Sequence, residues 1–506
     1  MCIHFVGIYY FIKIDLQKNF EFNNMKRLTI LLIALFALVT HYSEMSAQTK
    51  YLDVKVSEYG QLEKALGSDW DTVDSLVVHG PVDEKDFATM WKCSFEGRTT
   101  VLNLADAQVK DNKIPKRAFF NYDRQVTDDG VYYLELYRII LPETIEEIGD
   151  FAFARMYLQF INIPKNLKKF GLACFTSCHY LSTDPIVIPE GVVSISDECF
   201  MNCQCFKKVV LPSTIKEIGG AAFYNTRVAE INFPEGLETI DMGAFTGCDL
   251  EKVILPESLG ELSESLFSMC PYLREVHVPE HTTEIPFNFA SYCTELEKVN
   301  IPKGVVKIGC NAFSTALKLE SFDLPEGLKY IGRDAFWYCS ADTLVFPSTL
   351  EGLGGGSFTN CKYLKAIYSL ASFPPLCEED PANVGKGPFH GFTPEETPLY
   401  VPVGSGKLYR EAFGWNYFKN IIECSDLPSG IECVVSGNYT YRVYAGEGGI
   451  VIDTPERENT PVRYAVYTFG GVEVESGVMS SRKVINFNES DIYIVRVGNE
   501  THKVRM

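Results

Sequence analysis

A proline closes a short β-type stretch at Pro142, Pro164, Pro189, Pro212, Pro234, Pro256, Pro279, Pro302, Pro325 and Pro347, and the intervals are all 22 to 25 residues. No other feature of the chain restricts the fold as tightly. A unit of that length cannot bury its own apolar face, so successive units must stack to form a continuous core. In the unit that begins at Leu250, Val253 and Leu255 stand two apart and fall on one side of a strand. Pro256 then ends the strand, because it has no N–H to give to a ladder. Leu259 and Leu262 bring the chain back across the core. A small residue followed by Phe, as in Ala244-Phe245, Ala312-Phe313 and Ala335-Phe336, marks a short turn or a single helical turn. The expected architecture is an α/β-type solenoid with one short strand per 22–25-residue coil. Ten strands spaced about 4.8 Å apart make a sheet on the order of 50 Å long.

The full pattern is strand, Pro, x, x, Leu/Ile, x, x, Ile-Gly, x, x, Ala-Phe, x, x, Cys. It resembles the BspA-type leucine-rich repeats of bacterial surface proteins, such as those of Bacteroidetes-like bacteria, over about residues 98–425. The resemblance implies a leucine-rich-repeat right-handed superhelix. For function it implies adhesion to host proteins or to other cells, an expectation that rests on analogy of fold. Three places depart from the pattern. Asn225-Thr226 and Ala316 stand where other units have Cys, and Phe289-Ala290 inverts the small-Phe order.

The flanks read differently. Residues 1–47 are an upstream extension and a secretory signal peptide. Met25-Lys26-Arg27 is the positive start, Leu28 to Val39 the apolar run and Ser46-Ala47-Gln48 the small-residue cleavage site. Residues 1–24 read as an over-extended start, with a long signal peptide as the alternative. Residues 48–97 read as an N-terminal cap. In it, 59–66 form a helix stopped by Gly67 and Ser75 to His79 the first strand; just after the cap, Thr100 to Leu104 form the next. A longer loop is expected around Asp123–Gly130. After Cys361 the array closes through Leu399 to Pro402, Trp415, Phe418 and Ile421 to Glu423. Residues 430–506 carry short alternating strands punctuated at Gly448-Gly449, Gly470-Gly471 and Gly498-Asn499, a C-terminal all-β sandwich. That segment resembles the C-terminal sorting modules of type IX secretion substrates.

Composition excludes some functions. With a net charge of −20 and no basic cluster, nucleic acid is not an expected partner. No stretch after the signal segment approaches the roughly 20 apolar residues of a membrane span, so the mature chain is expected to have none. Cys174, Cys178, Cys199 and Cys203 have a spacing that suits zinc. The repeat accounts for them more simply. Cys178, Cys203, Cys248, Cys270, Cys293, Cys339 and Cys361 fill its last position, and Cys174 and Cys199 its small-residue position, as buried small hydrophobes. Parallel stacking also aims such thiols poorly at one another. Gly352 to Gly356 and Gly404-Ser-Gly406-Lys407 lack the spacing of a phosphate loop. No HExxH or nucleophile elbow occurs, and none of the eight His sits beside a candidate nucleophile. No catalytic, cofactor or metal residue is therefore expected.

What remains is the outward row of the strands. Lys208, Glu230, Lys252, Glu275 and Lys298 alternate in sign on successive strands and read as a self-stabilising charge ladder. Arg138, Ile140, Phe160, Val187 and Val210 form the more apolar end, the candidate partner-binding patch. The expected role is that of an exported, non-enzymatic binding protein, secreted or at the cell surface, with a periplasmic site as the other possibility. Its expected partners are host or bacterial surface proteins, or glycans. A structural or glycan-binding envelope component is the alternative, and a hydrolase using the acidic surface a distant third.

Overall fold

The carbonyl of each of the ten prolines accepts a hydrogen bond from the N–H three residues on, from Ile145 to Pro142 through Leu350 to Pro347, at 3.0 to 3.4 Å. Proline thus ends one strand and opens a tight turn in the same step. The residue that donates is buried in every coil, as with Ile145, Leu237 and Leu328. The computed structural model describes residues 49–121, 126–127, 130–424, 427, 442–446, 449–453, 461–468, 473–480, 482–486, 492–497 and 500–505. The expected upstream extension and signal segment lie outside the described residues, as do most of the expected C-terminal glycine turns.

The array is a parallel β-solenoid. Short strands preceding the prolines pair in register from coil to coil, for example Lys252–Ile254 with Glu275–His277. A second row of two-residue strands, such as Glu147–Ile148, Glu217–Ile218 and Lys307–Ile308, runs parallel to the first. Most coils therefore carry the expected strand and one further short strand; the strand expected before Pro325 does not form, and the coil of Pro256 lacks the second one. The glycine after the second strand packs flat on the coil before it. The Gly332 N–H donates to the Ile308 carbonyl at 2.8 Å, and a Cβ at this position would lie 2.5 Å from the Cys310 nitrogen. No side chain fits that approach.

The core is a column of stacked rings. From Phe119 through Phe153, Phe175, Phe200, Phe223, Phe245 and Phe267, successive centroids lie 5.2 to 6.0 Å apart, with planes 6° to 18° from parallel. The stack breaks at the inverted pair. Phe267 meets Phe289 at 86° and Phe289 meets Phe313 at 81°. The backbone keeps its register there, because Phe267 N–H donates to Phe289 O and Ala290 N–H to Ala312 O, both at 2.8 Å. Phe289 therefore occupies the small-residue column, and its ring enters edge-on. Stacking resumes through Phe313, Phe336, Phe358 and Phe389.

Both ends of the core are covered. At the N-terminal end Tyr51–Lys55 and Ser75–Val82 extend the first sheet. The expected short helix is present as Leu62–Leu66, with Gly67 in a positive-φ conformation at its end. A helix not expected from the sequence, Glu84–Phe95, begins with a capping box between Asp83 and Asp86 and buries Phe87, Met90 and Trp91. Of the expected 123–130 loop, residues 126–127 and 130 are described, within an antiparallel pair that Val131 completes. At the far end Ala366–Ser369, Leu399–Pro402 and Ile421–Cys424 complete a sheet. Trp415 is fully buried there and donates to the Pro375 carbonyl at 2.8 Å. Further on, two antiparallel sheets of three and four strands enclose a separate core that includes Ile450, Val466, Ile485 and Val495.

Candidate functional site

The outward strand row is built differently along its length. Arg138 and Phe160 are in register on adjacent strands, and the guanidinium lies 4.4 Å from the ring centroid, a cation–π contact. Ile140 is in register with Asn103, and Val187 with Val210. Arg138 and Val187 are exposed, while Ile140, Phe160 and Val210 are half-buried. The five residues fall on two sheets. The strands Phe160–Ile161 and Ile186–Val187 are not paired, because Thr183 bonds the Ile161 backbone through its own hydroxyl. The patch is thus two neighbouring groups: Arg138, Ile140 and Phe160, then Val187 and Val210.

Asparagines in the same row are structural. Asn162, Asn232 and Asn300 each hold both backbone groups of one residue in the preceding coil, Leu141, Leu211 and Val278, at 2.7 to 3.1 Å. In the coils at Leu104, Ile188 and Leu255 a backbone carbonyl of the next strand accepts instead. The amide side chain extends the ladder by one step and is not free for a ligand.

The expected charge ladder forms two ion pairs, Lys208–Glu230 at 2.7 Å and Lys252–Glu275 at 3.0 Å. Glu230 and Lys252 lie on different sheets, so the run is broken between them. Hydrogen bonds from His277 and then Lys252 hold the Glu275 carboxyl below its usual range. A second ladder, not foreseen, runs along the second strand row. It includes Lys113–Glu147–Lys169, Lys216–Glu238, Glu284–Lys307 and Lys329–Glu351. Its signal was legible in part, as Glu147 and Lys307 directly before Ile-Gly, Lys169 before Phe-Gly and Glu284 before Ile-Pro. Glu147 loses some solvation by burial, yet Lys113 and Lys169 hold its carboxyl below the usual value.

The cysteine column has a bonding role. The thiols of Cys178, Cys203, Cys248, Cys270, Cys293 and Cys361 donate to the carbonyls of Phe153, Phe175, Phe223, Phe245, Phe267 and Phe336 at 3.0 to 3.3 Å. Burial pushes the Cys178 thiol up to about 12. Thr226, the departure from the pattern, reaches its own Phe223 carbonyl at 2.9 Å, and Ala316 is simply buried. Two pairs approach more closely than parallel stacking suggests: Cys174 and Cys199 at 3.5 Å, and Cys339 and Cys361 at 3.2 Å. No group of metal-ligating side chains occurs among the described residues.

The glycine clusters are also accounted for. Gly354 donates to the Ile331 carbonyl at 2.8 Å as the glycine of its coil. The N–H groups of Gly404 and Gly406 are taken by the Glu423 carboxylate at 3.0 and 2.9 Å, which also lowers its pKa. An anion already occupies the position a phosphate would need. His390 lies 2.9 Å from Asp380, whose other contacts are Asn383 and the Ala382 N–H, so the pair pins a loop.

The model of the BspA type leucine rich repeat region matches in six copies, over residues 124–248, 193–293 and 284–373. No curated protein matches the chain. Among solved structures, a leucine-rich repeat protein from Bacteroides ovatus is 19% identical, with a TM-score of 0.36, over 62% of this chain and 64% of that one. The chain therefore spans about 64% of that protein's length. A pneumococcal vaccine antigen is 21% identical, with a TM-score of 0.34, over 63% and 85% of the two chains. A leucine rich cell surface protein from Faecalibacterium prausnitzii is 18% identical, with a TM-score of 0.32, over 64% and 91%.

Proposed function

The chain belongs to the BspA-type leucine-rich repeat proteins, and from that premise we propose that it is an exported, non-enzymatic binding protein that engages other proteins through its solenoid face in surface adhesion. The observation that carries the reading is the strand row at Arg138, Ile140, Phe160, Val187 and Val210. From the strand of Val210 onward, Lys208–Glu230 and Lys252–Glu275 neutralise one another, and Asn232 and Asn300 serve the backbone, as Asn162 does beside Phe160. The first coils instead expose Arg138 and Val187, with the half-buried Ile140, Phe160 and Val210 on the same outward row. Aromatic and Arg side chains are the residue types that dominate binding hot spots. Export rests on the segment 25–47, capping on 48–97 and sorting on 430–506. None of the described helices is long and apolar enough to cross a membrane.

The test is capture of host matrix proteins, bacterial surface proteins and glycans by the purified chain. Phe160→Asp combined with Val187→Asp should abolish capture of any protein so identified and leave the thermal transition in place. Unchanged capture would exclude this patch. Capture of glycans alone would favour an envelope component instead. Protease added to intact cells should cut the protein, and resistance would point to the periplasm.

A further inference from the structure

A cleft of about 340 Å³ crosses four successive coils at the turn edge of the array. Arg117, Phe120, Phe151, Arg155 and Met201 line it, with Ala154, Thr176, Ser177 and Asn202 between them and the exposed Glu198 at its margin. The two arginines come from adjacent coils, tied by Arg117 N–H to Asp150 O at 2.8 Å, and Arg155 is tied to the following coil at Thr176 O at 2.9 Å. Each guanidinium stands over a ring of the other coil: Arg117 is 5.9 Å from the Phe151 centroid and Arg155 is 5.8 Å from that of Phe120.

The electrostatics are the unusual part. Further along the array, Arg227 and Arg274 are neutralised from coil to coil by Asp249 and Glu297. Among the described residues no carboxylate lies within ion-pair distance of Arg117 or Arg155. Nη1 of Arg155 is buried with no hydrogen-bond partner. A buried guanidinium N–H without an acceptor is costly, and a carboxylate is the group whose two oxygens match the guanidinium fork. In a chain of net charge −20, this pair of unneutralised arginines stands against the prevailing charge.

We propose that the cleft of Arg117 and Arg155 binds an acidic side chain of a protein partner, with an apolar neighbour of that side chain seated on Phe120, Phe151 and Met201. A peptide is favoured over an acidic sugar by the walls, which are two phenyl rings, a methionine and an alanine. A sugar ring needs hydrogen-bonding groups for its hydroxyls on several sides, and beyond the two arginines and the exposed Glu198 they are confined here to Thr176, Ser177 and Asn202. The proposal deepens the protein-binding reading and rests on it.

The experiment is calorimetric titration of the full chain at low ionic strength with an acetylated, amidated hexapeptide of alternating Glu and Leu. A Gln/Leu peptide and an oligogalacturonate are titrated in parallel. The expected result is binding of the Glu/Leu peptide alone, weakened about tenfold or more by Arg155→Gln, weakened by Arg117→Gln, and only in part restored by Arg155→Lys, which keeps charge and loses the fork. Circular dichroism confirms that each variant folds. Absence of Glu/Leu binding, equal binding of the Gln/Leu peptide, unchanged affinity in the Gln variants, or binding of the galacturonate alone would overturn the proposal. Phe160→Asp with Val187→Asp, titrated in the same way, separates the two readings. If it loses partner capture while Arg117→Gln and Arg155→Gln keep it, the cleft fails and the strand patch stands.

Discussion

At the scale of single residues, the last position of the coil serves two ends. The side chain must be small and apolar enough to bury, and in six coils a cysteine there also donates to the phenylalanine carbonyl of the coil before, which Ala316 cannot do. Cysteine meets both through its weakly polar S–H. Cys293→Val keeps the bulk and removes the donor to Phe267 O. It should lower the unfolding free energy by about 1 kcal/mol, read from urea titration. Cys293→Thr should lie closer to the parent, since Thr226 already occupies the column with its hydroxyl on a Phe carbonyl. Equal losses for both would show that packing alone matters there. Gly332→Ala is a harsher change, because the new Cβ meets the backbone of Cys310. It should cost about 1–3 kcal/mol, the usual range for overpacking a tight site.

At the scale of elements, the phenylalanine stack offers a sharper test. Phe289 sits in the column meant for a small residue and stands edge-on to Phe267 and Phe313. Phe289→Ala alone should destabilise by about 3–5 kcal/mol, the range for emptying a buried phenylalanine site. The double change Phe289→Ala with Ala290→Phe restores the order of the other coils and should recover most of that loss in the same denaturation experiment. A double variant no more stable than Phe289→Ala would show that the inversion is required by its surroundings. The inversion itself was legible in the sequence, because Pro279 and Cys293 within the coil, and Pro302 and Gly309 in the next, hold the register around it. The strands before nine of the ten prolines were legible for the same reason, and the stretch before Pro325 forms none. The second strand row was not: two residues are too few to show alternation, and their pairing is set by coils 22 or 23 positions away. The helix Glu84–Phe95 left a trace in Asp83, Asp86 and the spacing of Phe87, Met90 and Trp91, but it lies outside the repeat that guided the reading.

At the scale of the whole molecule, the buried thiols make stability depend on alkaline pH. Burial raises Cys93 to about 11 and Cys178 to about 12 from a starting value of 9.0, and it raises Cys203 and Cys248 as well. The folded state therefore holds these protons more firmly than the unfolded state. Their contribution is complete below the unfolded thiol value of about 8.5 and is lost as pH rises toward the folded value. The melting temperature should be level through neutral pH and fall above about pH 9. Replacing Cys178 and Cys203 by Ala should flatten that fall relative to the parent, and an identical slope would assign it to other groups. The solenoid was readable from a proline every 22 to 25 residues. The binding face was readable only in part. The strand row could be counted from the prolines, but the break at Thr183, the asparagine bonds and the arginine cleft depend on contacts between coils that no single unit displays.

The central claim is that recognition belongs to the first coils of the array, where the strand patch and the arginine cleft both lie. The most direct measurement is hydrogen exchange of the full chain with and without a captured protein partner. Protection within residues 117–210 is the predicted result. Protection confined to residues 250–424, with 117–210 exchanging as in the free protein, would contradict it.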